Sequence, residues 1–290
     1  MSEHMKALET RDFIAFIADN DASGIHRAGY NGVASLVLKS TGNNIFVPRY
    51  CGLNYEITLL EGLQQSDEEI FEPRRSPMSI IESDASHVVL HQPETALKGI
   101  EALITFRVEE PYYVHQNVRL TFHKPLAEGR AFESLWASYL HQPPDGHAYL
   151  KGPGGDLEGW YGATKERHRA PYYIIHDLPA HELTPAEHVV IAEEPPTPPR
   201  MGKIEAPLEF YYGLYFDHTF LMMFRDSTNV RFAYSPNGGN PQPPLSPALD
   251  YVLTVPRVEL GRVYEWDLCC AVKPSAGRRD ILEEVRRYRG

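Results

Sequence analysis

GIEALITFRVEEPYYVHQNVRLTFHKP, residues Gly99–Pro125, decides the fold class. In Ala102–Val108 the even positions Ala102, Ile104, Phe106 and Val108 are apolar, while Thr105 and Arg107 fall on the other side with Glu101 just before them. That period of two marks a half-buried strand, because successive side chains of an extended chain point to opposite faces. Tyr112–Phe122 repeats the pattern, with Tyr112, Val114, Val118, Leu120 and Phe122 on the apolar side and Gln116 interrupting them. The short link Glu109–Pro111 joins the two runs as an antiparallel hairpin.

The same style extends in both directions. Gly32–Leu38, Ile45–Val47, Tyr55–Leu59, Ser79–Ile81, His87–Leu90 and Leu135–Leu140 read as strands, as do Leu208–Phe216, Phe220–Phe224, Val230–Tyr234, Leu249–Val255 and Val263–Val272. In Leu249–Val255 the apolar set Leu249, Tyr251, Leu253 and Val255 turns Asp250 and Thr254 to the other face. So many strands without intervening helices predict an all-β, antiparallel β-sandwich with few short helices. Arg279–Tyr288 is the clearest helix, with Asp280 near its start and Arg286, Arg287 and Arg289 near its end, an order that suits the helix dipole. Glu9–Ala18 fits a helix or an edge strand equally well.

Glu193–Arg200 is a proline-rich connector, and Ser235–Pro247 reads as a long loop in which glycines permit tight turns and prolines stiffen the exit. The strand patterns on either side look alike, so residues 1–290 are expected to form a single β-sandwich domain with long loops.

With 28 basic against 39 acidic residues, a formal charge of −11, the chain has no basic stripe for nucleic acid. No run approaches the ~18 apolar residues of a membrane span, and the start lacks a secretory pattern, so no membrane partner and a cytoplasmic location are expected. Cys51, Cys269 and Cys270 are too few and too oddly placed for a disulfide framework and read as small buried thiols. Oligomeric state is not indicated.

Short signatures for phosphoryl transfer, zinc proteases, EF-hands and the GxSxG serine nucleophile are all missing. The functional candidates lie instead in FESLWASYLHQP, Phe132–Pro143, which carries Trp136, Ser138, Tyr139 and His141. Trp and Tyr rings stack on the apolar patches of sugars while offering a hydrogen-bonding tip, so Trp136 and Tyr139 point to a carbohydrate ligand; a place in the sheet core is the alternative. Strand parity puts Trp136 and Ser138 on one face and Tyr139 and His141 on the other, unless a bulge or the strand end turns His141 back.

Arg74 and Arg75 in FEPRRSPM suit a bidentate clamp for an anionic substituent, with ion pairing to Glu68, Glu69 or Glu72 as the alternative. His87, His91 and Glu94 invite a metal reading. On one strand His87 and His91 lie roughly 13 Å apart, at about 3.3 Å per residue, so no metal site and no cofactor are assigned. Acid–base candidates are His91, His115, His141, His176 and His218, with Glu56, Glu101, Asp217 and Asp250 as carboxylates. His91 and His141 stand out because each ends an apolar strand just before a Gln–Pro step.

The strand order, NGVASLVLK (Asn31–Lys39) followed by NNIFVPRYCGLNYE (Asn43–Glu56), the hairpin and the closing LDYVLTVPRVELGRVYEWDL (Leu249–Leu268) together resemble a galactose-mutarotase-like supersandwich. The resemblance implies sugar binding on a concave sheet face. Aldose 1-epimerases of that superfamily use a histidine acid and a glutamate base supported by a TNHxYFNL-like segment, which this sequence lacks, so no residue carries over. The resulting expectation is a carbohydrate-active protein for a sugar or acidic sugar derivative, with acid–base catalysis of the epimerase, lyase or hydrolase type. His91 or His141 would be the acid or base, Glu56 or Asp250 the complementary carboxylate, Trp136 and Tyr139 the sugar contacts, and Arg74 or Arg75 the anion clamp. The alternatives are a non-catalytic carbohydrate-binding module and a metal-dependent sugar isomerase or lyase.

Overall fold

The computed structural model describes residues 3–127, 129–151, 160–163, 173–174, 209–240 and 246–290. In chain order the strands begin with β1 (Met5–Glu9), β2 (Phe13–Ala18), β3 (Gly32–Leu38) and β4 (Asn54–Leu60). Two one-turn helices, α1 (Asp67–Ile70) and α2 (Glu72–Arg75), precede β5 (Ser79–Ser83), β6 (His87–Gln92), β7 (Ile100–Glu109), β8 (Tyr113–Phe122) and β9 (Phe132–Ala137). Then come β10 (Ala148–Lys151), β11 (Trp160–Ala163), β12 (Tyr173–Ile174), β13 (Phe210–Tyr215) and β14 (His218–Phe224). The chain closes with β15 (Val230–Asn240), β16 (Ser246–Val255), β17 (Val263–Pro274) and α3 (Arg278–Arg289).

The strands form a three-stranded sheet, a nine-stranded sheet ordered β11-β10-β13-β14-β17-β8-β7-β6-β5, and a five-stranded sheet ordered β12-β15-β16-β9-β4. All named pairings are antiparallel. The β7–β8 hairpin keeps the expected register, Ala102 opposite Leu120 and Ile104 opposite Val118, with this apolar side fully buried. The nine- and five-stranded sheets press their apolar faces into one core. Gln116, the polar interruption in β8, accepts a hydrogen bond from the Tyr251 hydroxyl of β16 and so ties the two sheets together across that core. A buried amide is tolerated there because it is satisfied.

Helix α3 lies on the outer side of the nine-stranded sheet, where Ile281, Leu282 and Val285 pack on Leu221, Met223, Cys269 and Ala271. The three cysteines are free and buried, and Cys269 and Cys270 face opposite sides of β17, toward α3 and toward the core.

Several expectations change. Glu9–Ala18 spans the last residue of β1, a tight turn in which the Thr10 amide donates to the Phe13 carbonyl at 3.0 Å, and the whole of β2. Ile45–Val47 forms no strand of its own but is held by an isolated antiparallel bridge, Phe46 to Leu140, and by the Val47 amide donating to the Tyr139 carbonyl at 2.8 Å, just past the end of β9. The loop expected over Ser235–Pro247 is shorter, since β15 runs to Asn240, which pairs with Ser246 of β16. The proline-rich connector Glu193–Arg200 lies outside the described residues, as does His176. Among the described residues no helix is long and apolar enough to cross a membrane.

Candidate functional site

The side of the five-stranded sheet that faces away from the main core carries an in-register row. Asn54 of β4 pairs with Ala137 of β9, and Ala233 of β15 pairs with Asp250 of β16, the strand next to β9. Ala137 and Ala233 end at Cβ, so nothing larger than a methyl group rises beside the Asp250 carboxyl from those partners. The register shifts between Tyr55 and Ile57, which leaves Glu56 as the extra residue of a β-bulge. Bulges redirect side chains. Here Tyr55 stays in the core while Glu56 and Ile57 both leave it.

Three side chains hold the Glu56 carboxylate. Tyr139 Oη donates to Oε2 at 2.7 Å, Asn54 Nδ2 donates to the same oxygen at 3.1 Å, and Arg74 Nη1 donates to Oε1 at 3.1 Å. Burial raises the Glu56 pKa above the ordinary carboxylate value, against the opposing pull of Arg74, Tyr139 and Asn54. Asp250 accepts the Ser138 backbone amide at 3.0 Å, and burial, with the Glu56 charge adding to it, raises its pKa well above the usual range. Desolvation disfavours the charged form, and two nearby carboxyls resist ionising together. Tyr139 responds to the same burial and the same two acids, and its hydroxyl remains protonated. The result is a buried carboxyl, Asp250, whose charged form is disfavoured, near a second carboxyl held by a guanidinium and a phenol.

An aromatic wall borders this group. Tyr30, Tyr50 and Tyr139 lie with ring centroids 5.2–6.4 Å apart. Arg74 sits 4.1 Å from the centroid of Tyr30, and Arg27 lies over both Tyr30 and Tyr50. Farther along the same face Arg231 of β15 and Glu133 of β9 form a buried ion pair.

Four of the eight residues expected from the sequence thus meet: Glu56, Arg74, Tyr139 and Asp250. The other four do not join them. Trp136 is fully buried on the opposite side of β9, stacked between Tyr55 at 4.7 Å and Tyr251 at 6.0 Å, with Nε1 donating to Ser134 Oγ. Those rings are in-register cross-strand neighbours, so the tryptophan completes an aromatic ladder and offers no free face to a sugar. His91 belongs to the outer face of the nine-stranded sheet, 2.8 Å from Glu101, whose other oxygen meets His123 at 2.8 Å. His141 follows β9, its amide bonded to the Ile45 carbonyl, and its ring makes no contact with the Glu56 group. Arg75 is half exposed and 4.0 Å from Glu68, the surface pairing its neighbours allowed. Arg74 is itself committed to Glu56 and to the Gly29 carbonyl, so it positions a carboxylate instead of clamping a free anion.

Sequence reasoning missed Asn54, Tyr30 and Tyr50. The available signal was NYE at the start of β4, where a polar residue two before Glu56 signals a polar side of the strand. Among the described residues, ligand atoms of His4, Asp19 and Asp21 lie within 4.8 Å of one another, the one trio there able to hold a metal ion. Exposed acidic groups commonly gather in this way without one.

No protein-family model and no curated protein sequence matches the chain. Solved structures do. A putative aldose 1-epimerase from Escherichia coli K12 superposes with a TM-score of 0.55 at 9% identity, covering 93% of this chain and 99% of the other. A galactose mutarotase-like protein from Lactobacillus casei gives 0.54 at 12% identity, covering 92% and 99%. An α-N-acetylgalactosaminidase from Bifidobacterium bifidum gives 0.52 at 10% identity, with 98% of this chain matching 38% of that larger one. At such identities the likeness is one of architecture, and the architecture is the galactose-mutarotase-like β-sandwich.

Proposed function

We propose that this protein is a carbohydrate-active enzyme of the epimerase type that binds a sugar over the outer face of the five-stranded sheet. The observation that carries the reading is the pair of buried carboxyls, Glu56 and Asp250, with raised pKa values and separate supporting partners. Two carboxyls in different surroundings divide naturally into acid and base. Asp250, protonated, donates to the ring oxygen of the sugar. Glu56, fixed by Arg74, Asn54 and Tyr139, accepts the proton of the anomeric hydroxyl. Opening and reclosing of the ring then exchanges the anomers with no net proton change. Tyr50, partly exposed, supplies an apolar face for the sugar, with the buried Tyr30 packed behind it. Similarity in fold to a putative aldose 1-epimerase and a galactose mutarotase-like protein supports the choice of substrate class.

The test is anomer interconversion of a panel of aldoses and uronic acids, followed by polarimetry and by ligand-observed NMR. Wild type is expected to accelerate exchange for at least one sugar, and Asp250→Asn to lower turnover by about 10²-fold or more, the range typical of a lost general acid. Saturable sugar binding without interconversion would reduce the site to a binding module. Cleavage of a glycosidic bond at the same site would move the reading to a hydrolase or lyase.

A further inference from the structure

A cleft of about 790 Å³ is on the opposite side of the molecule from Glu56 and Asp250. It forms where α3 stops short of covering the outer face of the nine-stranded sheet: the helix edge with Tyr288 is one wall, and the exposed rows of β7, β8 and β17 are the floor. Register builds that floor. Arg107 of β7 pairs with His115 of β8, which pairs with Cys269 of β17; beside them runs Thr105, Asn117 and Asp267, followed by Arg225 after β14.

Two features distinguish this floor from an ordinary solvated face. His115 Nε2 is buried and makes no hydrogen bond; it is 3.1 Å from Glu109 Oε2 but off the line a bond requires. Arg225, exposed, forms no ion pair among the described residues and rests 4.7 Å from the Tyr288 ring centroid. Among the described residues Arg107 pairs with Glu109 alone, at 3.0 Å with both side chains about half exposed, an attachment that a better ligand displaces at little cost. The acids around them are otherwise engaged: Asp267 takes the Asn117 amide, Glu110 takes the Arg11 amide, and Glu284 binds Lys273 and Arg287.

We propose that this cleft binds a small oxyanion, a phosphate or carboxylate group, between Arg107 and Arg225 and above the His115 ring, with Glu109 swinging out as it enters. Planar guanidiniums match both anions bidentately. Binding also engages the imidazole. The groups facing His115 are Arg107 and Glu109 on β7, Tyr113 on β8, Cys269 on β17, Arg225 after β14 and Tyr288 on α3. Burial lowers the His115 pKa, the two arginines lower it further, and Glu109 opposes them. An anion seated between the arginines reverses their effect, so it is taken up with a proton and binds more tightly as pH falls through the histidine range.

The experiment titrates the purified protein with inorganic phosphate, glycerol 3-phosphate and succinate at constant ionic strength. Binding is read by calorimetry and by the His115 ring signals in NMR. Saturable binding with a raised His115 pKa is expected. Arg107→Ala and Arg225→Ala should each weaken it by about tenfold or more, Glu109→Gln should tighten it, and Arg119→Ala, on the same face outside the cleft, should leave it unchanged. All four positions are exposed or partly so, and a thermal melt verifies folding. Whether the ester, the free ion or the carboxylate binds tightest names the natural occupant, and each such ranking supports the site. Absence of saturable binding for all three probes, an unmoved His115 pKa, or an equal loss in Arg119→Ala overturns it.

Discussion

On the outer face of the nine-stranded sheet Glu101 divides its carboxylate between His91 and His123, with each of the three side chains 28–37% exposed. On the outer face of the five-stranded sheet Glu56, Glu133, Asp250 and Arg231 are nearly sealed from water. The pKa directions diverge accordingly: hydrogen bonds from His91 and His123 lower Glu101, whereas burial raises Glu56 and Asp250. Charged residues on a solvated antiparallel face cost little and achieve little, while buried ones stabilise poorly and persist where chemistry uses them. Identical residue types thus mean different things on the two sheets.

The sharpest way to break the contrast is to remove one partner of a pair on each side. Arg231→Ala removes the buried ion-pair partner of Glu133 and should cost about 3–5 kcal/mol in urea unfolding, the usual penalty for breaking a buried ion pair from one side. Next in size is a pH effect at Asp250. Its folded pKa is raised above the unfolded value, so folding takes up a proton, and its contribution is complete below the ordinary carboxylate range and lost as pH rises toward the folded value. Asp250→Asn therefore gains on wild type as pH rises, by up to about 1.4 kcal/mol per pH unit, and melts at several pH values measure the slope.

On the solvated sheet the same operations should do little. Arg107→Ala should change stability by less than about 1 kcal/mol, since its partner Glu109 is half exposed. Smallest of all, His91→Gln should leave sugar turnover unchanged and trim stability only above the ordinary carboxylate range. The difference from wild type should vanish as pH falls through the lowered Glu101 pKa, where the contribution of that carboxyl is lost in both proteins. A turnover defect in His91→Gln matching that of Asp250→Asn would move the site to the other sheet.

What could be read from the sequence follows from what is local. Alternation in Ala102–Val108 and Tyr112–Phe122 marks both strands and the turn between them, because a hairpin needs no distant partner to be recognised. Parity within Phe132–Pro143 correctly separates Trp136 from Tyr139, yet period two alone cannot say which side meets the core. That depends on Tyr55 and Tyr251 lying on the strands either side of β9. The site demands still more. Glu56 lies on β4, Arg74 on α2, Tyr139 just past β9 and Asp250 on β16, and β4, β9 and β16 are made neighbours only by long-range pairing. That His91 ends an apolar strand is a local feature, blind to the sheet face on which the ring emerges.

The bulge at Glu56 separates scaffold from chemistry more cleanly than any loop. Because Glu56 is the one residue of β4 outside the ladder with β9, losing a single residue there would leave Asn54–Leu60 able to pair as a regular strand, aromatic ladder intact. The carboxylate would go and the sheet would stay. A one-codon deletion would therefore be enough to remove that carboxylate while sparing the architecture that carries it.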